Sequence, residues 1–270
     1  MRTEARNDRS LRLDEMSPRE VIDLMNAEEH VVLDALEAAA PNTARAAEAV
    51  ARVHASGGRV FLLGAGTSGR LAAGEVAELP ATFGVEPGSF VAFIASGPSG
   101  GSAAVTRNED DSEAAPAALA RCGCGPQDAV IGVAASGATP FVVAGINHAS
   151  DVGAWTCGIA NNRGSALLGM VDVGILLDTG PEIVTGSTRL KAGTAQKLVL
   201  NRITTAALVS CGKVMSNLMV EISPTNEKLR RRCVHIVCEL LGASEREAVD
   251  LLDAAAWDVR AAVQSRLEGR

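Results

Sequence analysis

The sequence predicts an α/β fold: a parallel five-stranded sheet with crossover helices, flanked by an N-terminal helical region and a small C-terminal helical domain. Short apolar runs alternate with helix-like segments from Arg59 to about Cys211, which is typical of βαβ units. On either side of this stretch only helical patterns remain. The predicted regions are residues 1–49, 50–213 and 214–270.

The composition indicates a globular protein that binds neither nucleic acid nor membranes. The chain has 270 residues, of which 47% are hydrophobic and 21% charged, so it can bury a substantial core. A net charge of −7 disfavours polyanionic partners, and 3% aromatic residues provide no stacking platform for bases. No apolar run is long enough to span a membrane and the first residues are polar, so we expect a cytoplasmic location.

The cysteines and histidines do not predict a metal site. The six cysteines lack paired metal-ligand spacing, and the four histidines are far apart in the sequence. We therefore expect reduced thiols and structural histidines.

Helices are predicted ahead of the sheet. Ser17-Pro18-Arg19-Glu20 is a capping box with proline at the first helical position, so a helix should begin there. Alanine-rich helical periodicity continues through residues 27–40 and 41–56 and stops at Gly57-Gly58. We expect these helices to cover the sheet or a neighbouring subunit.

Each predicted strand is followed by small or hydroxyl residues. The predicted strands are Val60–Leu63, Phe90–Ala95, Ala129–Ala134, Ala154–Ile159 and Val173–Leu177. Ligands of open α/β sheets bind at the carboxyl ends of the strands, so we expect the site at that edge.

The first strand leads into a turn, here called the first turn, that predicts an anion site. It contains Gly64, Gly66, Thr67, Ser68 and Gly69. The glycines allow close backbone approach, and the two hydroxyls stand beside the free N–H groups of a helix start, which suits a phosphate. The same residues also match the dinucleotide-binding pattern G-x-G-x-x-G. That pattern requires an acidic residue after the next strand to hold a ribose, and here the next strand is followed by Ser96-Gly97. A turn that only closes a strand–helix unit is the other interpretation.

Ala134–Pro140, here called the second turn, repeats this arrangement. Ser136 and Thr139 supply hydroxyls, and Gly137 permits close backbone approach. Two such turns on one sheet can share one phosphorylated ligand. A helix N-cap is the alternative role for either hydroxyl.

A dense loop, Gly180–Lys191, leads into a helix that runs to about Cys211. Ser187 or Thr188 can cap this helix, and Arg189 and Lys191 add positive charge that suits an anionic ligand. Solvated surface cations are the alternative.

The C-terminal region should form three helices. Residues 224–226 open a helix that ends at Gly242, Ser244-Glu245-Arg246-Glu247 is a second capping box, and a last helix covers Asp258–Leu267. The expected core of this region comprises Leu251, Leu252, Trp257 and Val259.

Three stretches together resemble the N-acetylmuramic acid 6-phosphate etherases. They are Gly64–Arg70, Glu78–Gly84 and Gly180–Lys191. This family shares a sugar isomerase (SIS) domain and a GPE-x-x-x-GS-x-R-x-K signature with the glucokinase regulatory protein. Further similar positions are Thr3-Glu4, Arg6-Asn7, Ala192–Asn201 and Thr225–Leu229, so the resemblance covers most of the chain.

The resemblance implies cleavage of the D-lactyl ether of N-acetylmuramic acid 6-phosphate by water, giving N-acetylglucosamine 6-phosphate and D-lactate in cell-wall recycling. It implies a homodimer that uses no metal or cofactor, with the sugar site near the subunit contact. The proton-donating glutamate corresponds to Glu78 and the second active-site glutamate to Glu109. The expected substrate-binding residues are Gly66, Thr67, Ser68, Ser136, Gly137, Thr139, Ser187 and Lys191.

Two carboxyl groups can divide the work of this reaction, one as acid and one as base. Glu78 precedes Leu79-Pro80 at the predicted end of the first crossover helix, in a mostly apolar context that would favour its protonated form. Glu109 lies in an acidic patch together with Asp110, Asp111 and Glu113. For both residues a solvated helix-surface carboxylate is the alternative interpretation.

The chain departs from the family pattern around both candidate sites. The family usually carries arginine where this chain has Ala138. Near Glu78, this chain has Glu75, Ala77, Leu79 and Ala81, where the family usually has aspartate, serine, cysteine and proline. Two other functions that would use the same phosphate-binding turns stay open: a sugar-phosphate-sensing regulatory protein and an aldose-ketose isomerase.

Overall fold

The computed structural model describes residues 1–95, 104–106, 108–222, 224 and 226–268. Ser96-Gly97 and Thr225, which were used above, lie outside the described residues. The chain forms two compact units: Met1–Val76 with Gly88–Ala207, and Ala77–Pro87 with Leu208–Arg270. The three regions expected from the sequence stay a prediction.

Among the described residues, the first unit holds a parallel sheet of six strands in the order β3-β2-β1-β4-β5-β6. The strands are β1 (Val60–Ala65), β2 (Phe90–Ala95), β3 (Ala104–Thr106), β4 (Ala129–Val133), β5 (Trp155–Ala160) and β6 (Val173–Leu176). The five predicted strands are confirmed, with ends that shift by one or two residues. The sequence missed β3 because three residues at a sheet edge give no detectable apolar run.

Helices connect these strands and continue into the second unit. They are α1 (Pro18–Ala55), α2 (Gly66–Phe83), α3 (Ala114–Arg121), α4 (Pro140–Asp151), α5 (Ala166–Gly169), α6 (Lys191–Ser210), α7 (Glu227–Leu241), α8 (Glu245–Ala254) and α9 (Val259–Glu268). Among the described residues, none of the helices has the length and apolar character that a membrane crossing needs.

Helix α1 begins where the sequence predicted. The Ser17 side chain accepts from the Glu20 N–H and the Glu20 side chain from the Ser17 N–H, so the capping box is complete. The helix is continuous for 38 residues with Pro41 inside it. It packs against β1, β4 and β6, and the amide of Asn42 donates to the Gly174 carbonyl at 2.7 Å. Covering the sheet is therefore one confirmed role of this helix.

The sheet is buried on both faces. Phe61, Leu62 and Leu63 are adjacent in β1 and point alternately to opposite faces, yet all three are 0% exposed. A parallel sheet that is covered on both sides requires such continuous apolar runs, which is why the strands were visible in the sequence.

Close packing explains two of the three glycines in the first turn. A Cβ on Gly69 would lie 2.5 Å from Cγ2 of Ile94 and 2.6 Å from the Gly64 carbonyl oxygen. A Cβ on Gly64 would lie 2.6 Å from the Gly69 N atom. The start of α2 thus rests directly on β1 and β2. Gly66 differs, because it has a positive φ of 52° and open space around its Cβ position.

The second unit contains the three predicted C-terminal helices. Asn226 caps α7, Gly242 ends it with φ of 64°, and Ser244 forms the predicted capping box of α8. Leu252 and Val259 are buried in the core of this unit, and the predicted core residues Leu251 and Trp257 pack against it while partly buried. A short antiparallel pair, β7 (Val214–Met215) and β8 (Leu218–Met219), was not predicted.

Gly69→Ala should destabilise the protein, whereas Gly74→Ala in the same helix should not. The added methyl at 69 meets Ile94 and backbone, so we expect a loss of about 1–3 kcal/mol. Position 74 is exposed with no neighbour near its Cβ position, so alanine should stabilise the helix by about 0.5–1 kcal/mol. Urea unfolding of both variants measures the difference. Equal free energies of unfolding would contradict the packing role of Gly69.

Candidate functional site

The candidate site lies where the strand order reverses. The chain starts the sheet with β1 in its interior, continues to β2 and β3 on one side, and returns to β4, β5 and β6 on the other. β1 and β4 are paired neighbours. The first turn spans the end of β1 and the start of α2, which follow each other directly, and the second turn follows β4. Both therefore lie at the carboxyl ends of adjacent strands, where open α/β sheets bind their ligands.

The first turn points its buried hydroxyl inward. Ser68 is 8% exposed, and its Oγ donates to Oε1 of Gln196 on α6 at 2.8 Å. Thr67 is half-buried, and its hydroxyl accepts from Arg70 at 3.4 Å. Because α2 begins at Gly66, its first N–H groups, which lack intrahelical partners, stand at the end of β1.

Two buried amide side chains, Gln196 and Asn161, extend the hydrogen-bond chain that starts at Ser68. Nε2 of Gln196 donates to Oδ1 of Asn161 at 2.9 Å, and Nδ2 of Asn161 donates to the Leu177 carbonyl at 2.9 Å. Gln196 is 1% and Asn161 0% exposed. Neither residue was predicted from the sequence. The signal for Asn161 was available, since it is a polar residue two positions after the end of the predicted fourth strand, Ala154–Ile159.

The second turn keeps two hydroxyls together. Gly137 has φ of 67°, the Ser136 Oγ accepts from the Ala138 N–H at 3.2 Å, and it lies 3.4 Å from the Thr139 Oγ1. Thr139 precedes α4, but its side chain makes no capping bond. The N–H of Phe141, in the first turn of α4, donates instead to the Glu109 carbonyl at 3.1 Å. The N-cap alternative therefore does not explain the Thr139 side chain.

Glu109 is held beside the second turn by its backbone. Its carbonyl bonds to the start of α4, while its side chain is exposed. Nearby, the Asp111 carboxylate accepts from the N–H groups of Glu113 and Ala114, both at 3.0 Å, and so caps α3. Part of the acidic patch is thus a helix cap, and Glu109 is not part of that cap.

Glu78 belongs to the second unit and is exposed. The apolar environment expected for it from the sequence is wrong for this chain. The next residue, Leu79, is 2% exposed, and successive helical residues point about 100° apart, so burial of Leu79 directs Glu78 outward. The expected helix end before Pro80 is also wrong, because α2 continues to Phe83 and the Gly84 N–H donates to the Pro80 carbonyl.

A buried carboxylate caps α6, not Ser187 or Thr188 as predicted. Glu182 is 0% exposed and accepts from the N–H groups of Lys191 at 3.1 Å and Ala192 at 2.9 Å. A negative charge is favoured at the positive end of a helix. Burial nevertheless raises the pKa of Glu182 above its usual value, against the lowering effect of these two N–H groups.

The Lys191 ammonium is paired inside the protein. Its Nζ lies 2.5 Å from Oε2 of Glu28, and both side chains are nearly inaccessible. Glu28 also accepts from Asn7 at 2.8 Å and pairs with Arg9 at 2.8 Å. Burial tends to raise the pKa of Glu28, but Lys191, Asn7 and Arg9 together lower it below its usual value. Substrate contacts by Ser187 and Lys191 stay predictions.

The N-terminal segment is tied to the edge of the sheet near the second turn. Oδ1 of Asn162 accepts from the backbone N–H groups of Arg2 and Thr3, and its Nδ2 donates to the Thr3 hydroxyl at 2.8 Å. The same Nδ2 donates to the Ala135 carbonyl at 2.9 Å. This contact was not predicted from the sequence.

Glu28→Gln should destabilise the protein at pH 7 and make it less sensitive to acid. Removing the carboxylate leaves the Lys191 charge buried and unpaired, which costs about 3–5 kcal/mol. Because the folded pKa of Glu28 is lowered, its stabilising effect is present above about pH 4.3 and is lost as the pH falls below that value. Urea unfolding at pH 7 and pH 4 measures both effects.

The exposed Glu37 on α1 provides the control, because Glu37→Gln should change stability by less than about 0.5 kcal/mol. The raised pKa of Glu182 acts in the opposite sense, but it is common to both variants and cancels in the comparison. Equal acid sensitivity of the wild type and Glu28→Gln would contradict the role of the ion pair.

Comparisons with known proteins agree on fold and family. A model of the SIS domain matches residues 26–161. The N-acetylmuramic acid 6-phosphate etherase of Geobacillus thermodenitrificans (strain NG80-2) is 42% identical over 261 residues, covering 97% of this chain and 88% of the relative. That of Cutibacterium acnes (strain DSM 16379 / KPA171202) is 43% identical over 267 residues, covering 99% and 88%.

Solved structures support the same fold. A phosphoheptose isomerase from Francisella tularensis superimposes with a TM-score of 0.57 at 18% identity, covering 71% of this chain and 98% of that one. One from Neisseria gonorrhoeae gives the same values. At this identity the likeness shows the fold alone, and it confirms the predicted SIS-type α/β architecture. On the strength of the sequence relatives, this chain belongs to the N-acetylmuramic acid 6-phosphate etherase family.

Proposed function

We propose that this protein cleaves the D-lactyl ether of N-acetylmuramic acid 6-phosphate with water, giving N-acetylglucosamine 6-phosphate and D-lactate. It is then a carbon–oxygen lyase of cell-wall amino-sugar recycling. The observation that carries the proposal is the 42% identity over 97% of the chain to a relative of that name. The paired turns at the strand-order reversal provide a site of the right chemistry.

The two turns bind the 6-phosphate in this proposal. The helices α2 and α4 begin at the ends of adjacent strands, so both turn the positive end of a helix dipole to the same edge. The start of α2 adds N–H groups that lack intrahelical partners. The hydroxyls of Ser136 and Thr139 are not used as helix caps, which leaves them for phosphate oxygens. Gly66, Thr67, Gly137 and the backbone N–H of Ser68 complete the proposed contacts, since the Ser68 hydroxyl donates to Gln196. Ser187 and Lys191 are the other proposed binding residues.

The reaction proceeds by elimination and hydration. In the ring-opened sugar, the C1 aldehyde acidifies the hydrogen on C2. A base removes that proton, the C2–C3 double bond forms, and the C3–O bond breaks as an acid protonates the departing lactate oxygen. Water then adds across the double bond, its oxygen to C3 and a proton to C2. One acid and one base therefore suffice.

Glu78 and Glu109 are the proposed pair. Glu78 takes the role of proton donor to the lactate oxygen, following the family pattern. Glu109 acts with it as the second carboxyl group. Its backbone bond to the start of α4 fixes it next to the second turn, which supports a place beside the bound sugar.

A homodimer with the sugar site near the subunit contact completes the proposal. Both glutamates are exposed in the single chain. A carboxyl group that must hold a proton near neutral pH needs a less polar environment than bulk water provides. A second subunit over the site would supply that environment.

Incubation with N-acetylmuramic acid 6-phosphate should release D-lactate, and Glu78→Gln and Glu109→Gln should each lower kcat at least about a hundredfold. Glutamine keeps the shape but can no longer exchange a proton. Glu113→Gln is the matched control, since Glu113 is an exposed carboxylate of the same acidic patch. Lactate is measured enzymatically, and sedimentation checks that all variants keep the wild-type oligomer.

The same assay separates the alternatives. Tight binding of the sugar phosphate without lactate release would favour a regulatory sensor. Aldose-ketose conversion without lactate release would favour an isomerase. Full activity in either glutamine variant would contradict the two-carboxyl mechanism.

Ser136→Leu should raise KM at least about tenfold, because it removes a hydroxyl from the phosphate site and adds bulk there. Ala138→Arg should lower KM, because a guanidinium group at this exposed position can form charge-assisted bonds to phosphate. Steady-state kinetics of lactate release measure both changes, and thermal unfolding checks that the variants fold. An unchanged KM for Ser136→Leu would contradict phosphate binding at the second turn.

A further inference from the structure

A buried chain of side-chain hydrogen bonds, here called the amide relay, runs from the first turn to a residue whose backbone is bonded to the second turn. It consists of Ser68, Gln196 and Asn161. At one end Ser68 belongs to the first turn. At the other end, the backbone N–H of Asn161 donates at 3.0 Å to the carbonyl of Ala135, which belongs to the second turn.

The direction of every bond in the amide relay is fixed from one end. The Leu177 carbonyl can only accept, so Asn161 must turn its NH₂ group towards it. The oxygen of Asn161 then faces Gln196 and must receive an N–H, which turns the Gln196 oxygen towards Ser68. The Ser68 hydroxyl therefore donates inward. Its rotamer is fixed in one orientation by residues distant in sequence.

The burial of these two amide side chains points to a specific role, because removing a polar group from water costs free energy. An amide without partners in a protein interior costs about 1–3 kcal/mol, so apolar residues would fill a purely structural position with less risk. Gln196 and Asn161 are 1% and 0% exposed. A fully bonded polar chain instead holds its ends at one geometry, since a lost bond leaves a buried group unpaired.

We propose that Gln196 and Asn161 are positioning residues of the sugar-phosphate site, which hold the two turns at one spacing so that both bind the same phosphate. Neither side chain touches the substrate in this arrangement. The inference rests on the proposed function, because it takes the two turns as one phosphate site.

Gln196→Met tests the proposal, since methionine has a similar length but cannot bridge Ser68 and Asn161. Isothermal titration with N-acetylglucosamine 6-phosphate should show a Kd about tenfold weaker than in the wild type. KM for lactate release should rise by the same factor, and kcat should stay within about twofold because the glutamates are unchanged. Ser68→Ala should have a similar effect, and the double variant should be no worse than either single one.

Thr204→Val is the matched control. The Thr204 hydroxyl bonds at 2.6 Å to Glu75 and so also ties α6 to α2, about two turns of helix beyond Gln196 and away from the turns. Its loss should lower thermal stability as Gln196→Met does, without changing Kd. Equal destabilisation by both variants with unchanged Kd and KM would overturn the proposal and leave the relay a packing feature.

Two further outcomes are decisive. If Gln196→Met does not fold, Gln196→Glu replaces it, because a carboxylate keeps the bond to Ser68 but repels the Asn161 oxygen, and the same weaker Kd is expected. If the wild type binds the sugar phosphate and releases no lactate, the proposed reaction fails but the Kd comparison still decides the role of the relay. A wild type that neither binds nor reacts would overturn both.

Discussion

The constraint on which the rest depends is the reversal of strand order between β1 and β4. Because these neighbours are parallel, the chain must leave both at the same edge, and each continues into a helix. Two helix N-termini thereby converge without any special sequence. In the proposed function, the glycine and hydroxyl residues adapt this edge to the phosphate. Gly64 and Gly69 seat α2 on the sheet, while Ser136 and Thr139 supply the hydroxyls of the second turn.

Buried charges fix the loop that leads into α6. Glu182 bonds to the free N–H groups of that helix, and the Lys191 side chain reaches Glu28 on α1. A buried charge without a partner would strongly destabilise the protein. The hydrogen bonds and the ion pair offset the desolvation cost of these charges only when every partner is in place. The arrangement therefore favours a single conformation of the loop over residues 180–191. Asn7 and Arg9 extend the same cluster into the N-terminal segment.

Local patterns in the sequence predicted the local structure. The capping boxes at Ser17 and Ser244 and the apolar runs of five strands are properties of neighbouring residues, and the structure confirms them. Contacts between distant residues were not predictable in this way. The cap supplied by Glu182 and the bond between Ser68 and Gln196 depend on which segments the fold brings together. The outward direction of Glu78 was in principle predictable, since burial of Leu79 fixes the helical phase.

One backbone hydrogen bond joins Glu109 to the helix that follows the second turn. The N–H of Phe141, at the start of α4, has no acceptor within the helix, and the residue before a helix normally satisfies such a donor with its side chain. Here the Glu109 carbonyl accepts it, so the Thr139 hydroxyl is released from capping. The same bond holds Glu109 against the helix that follows the second turn. In the proposed site, anion binding at that turn and the position of the Glu109 carboxylate therefore depend on one shared hydrogen bond, which anchors the exposed Glu109 through its backbone.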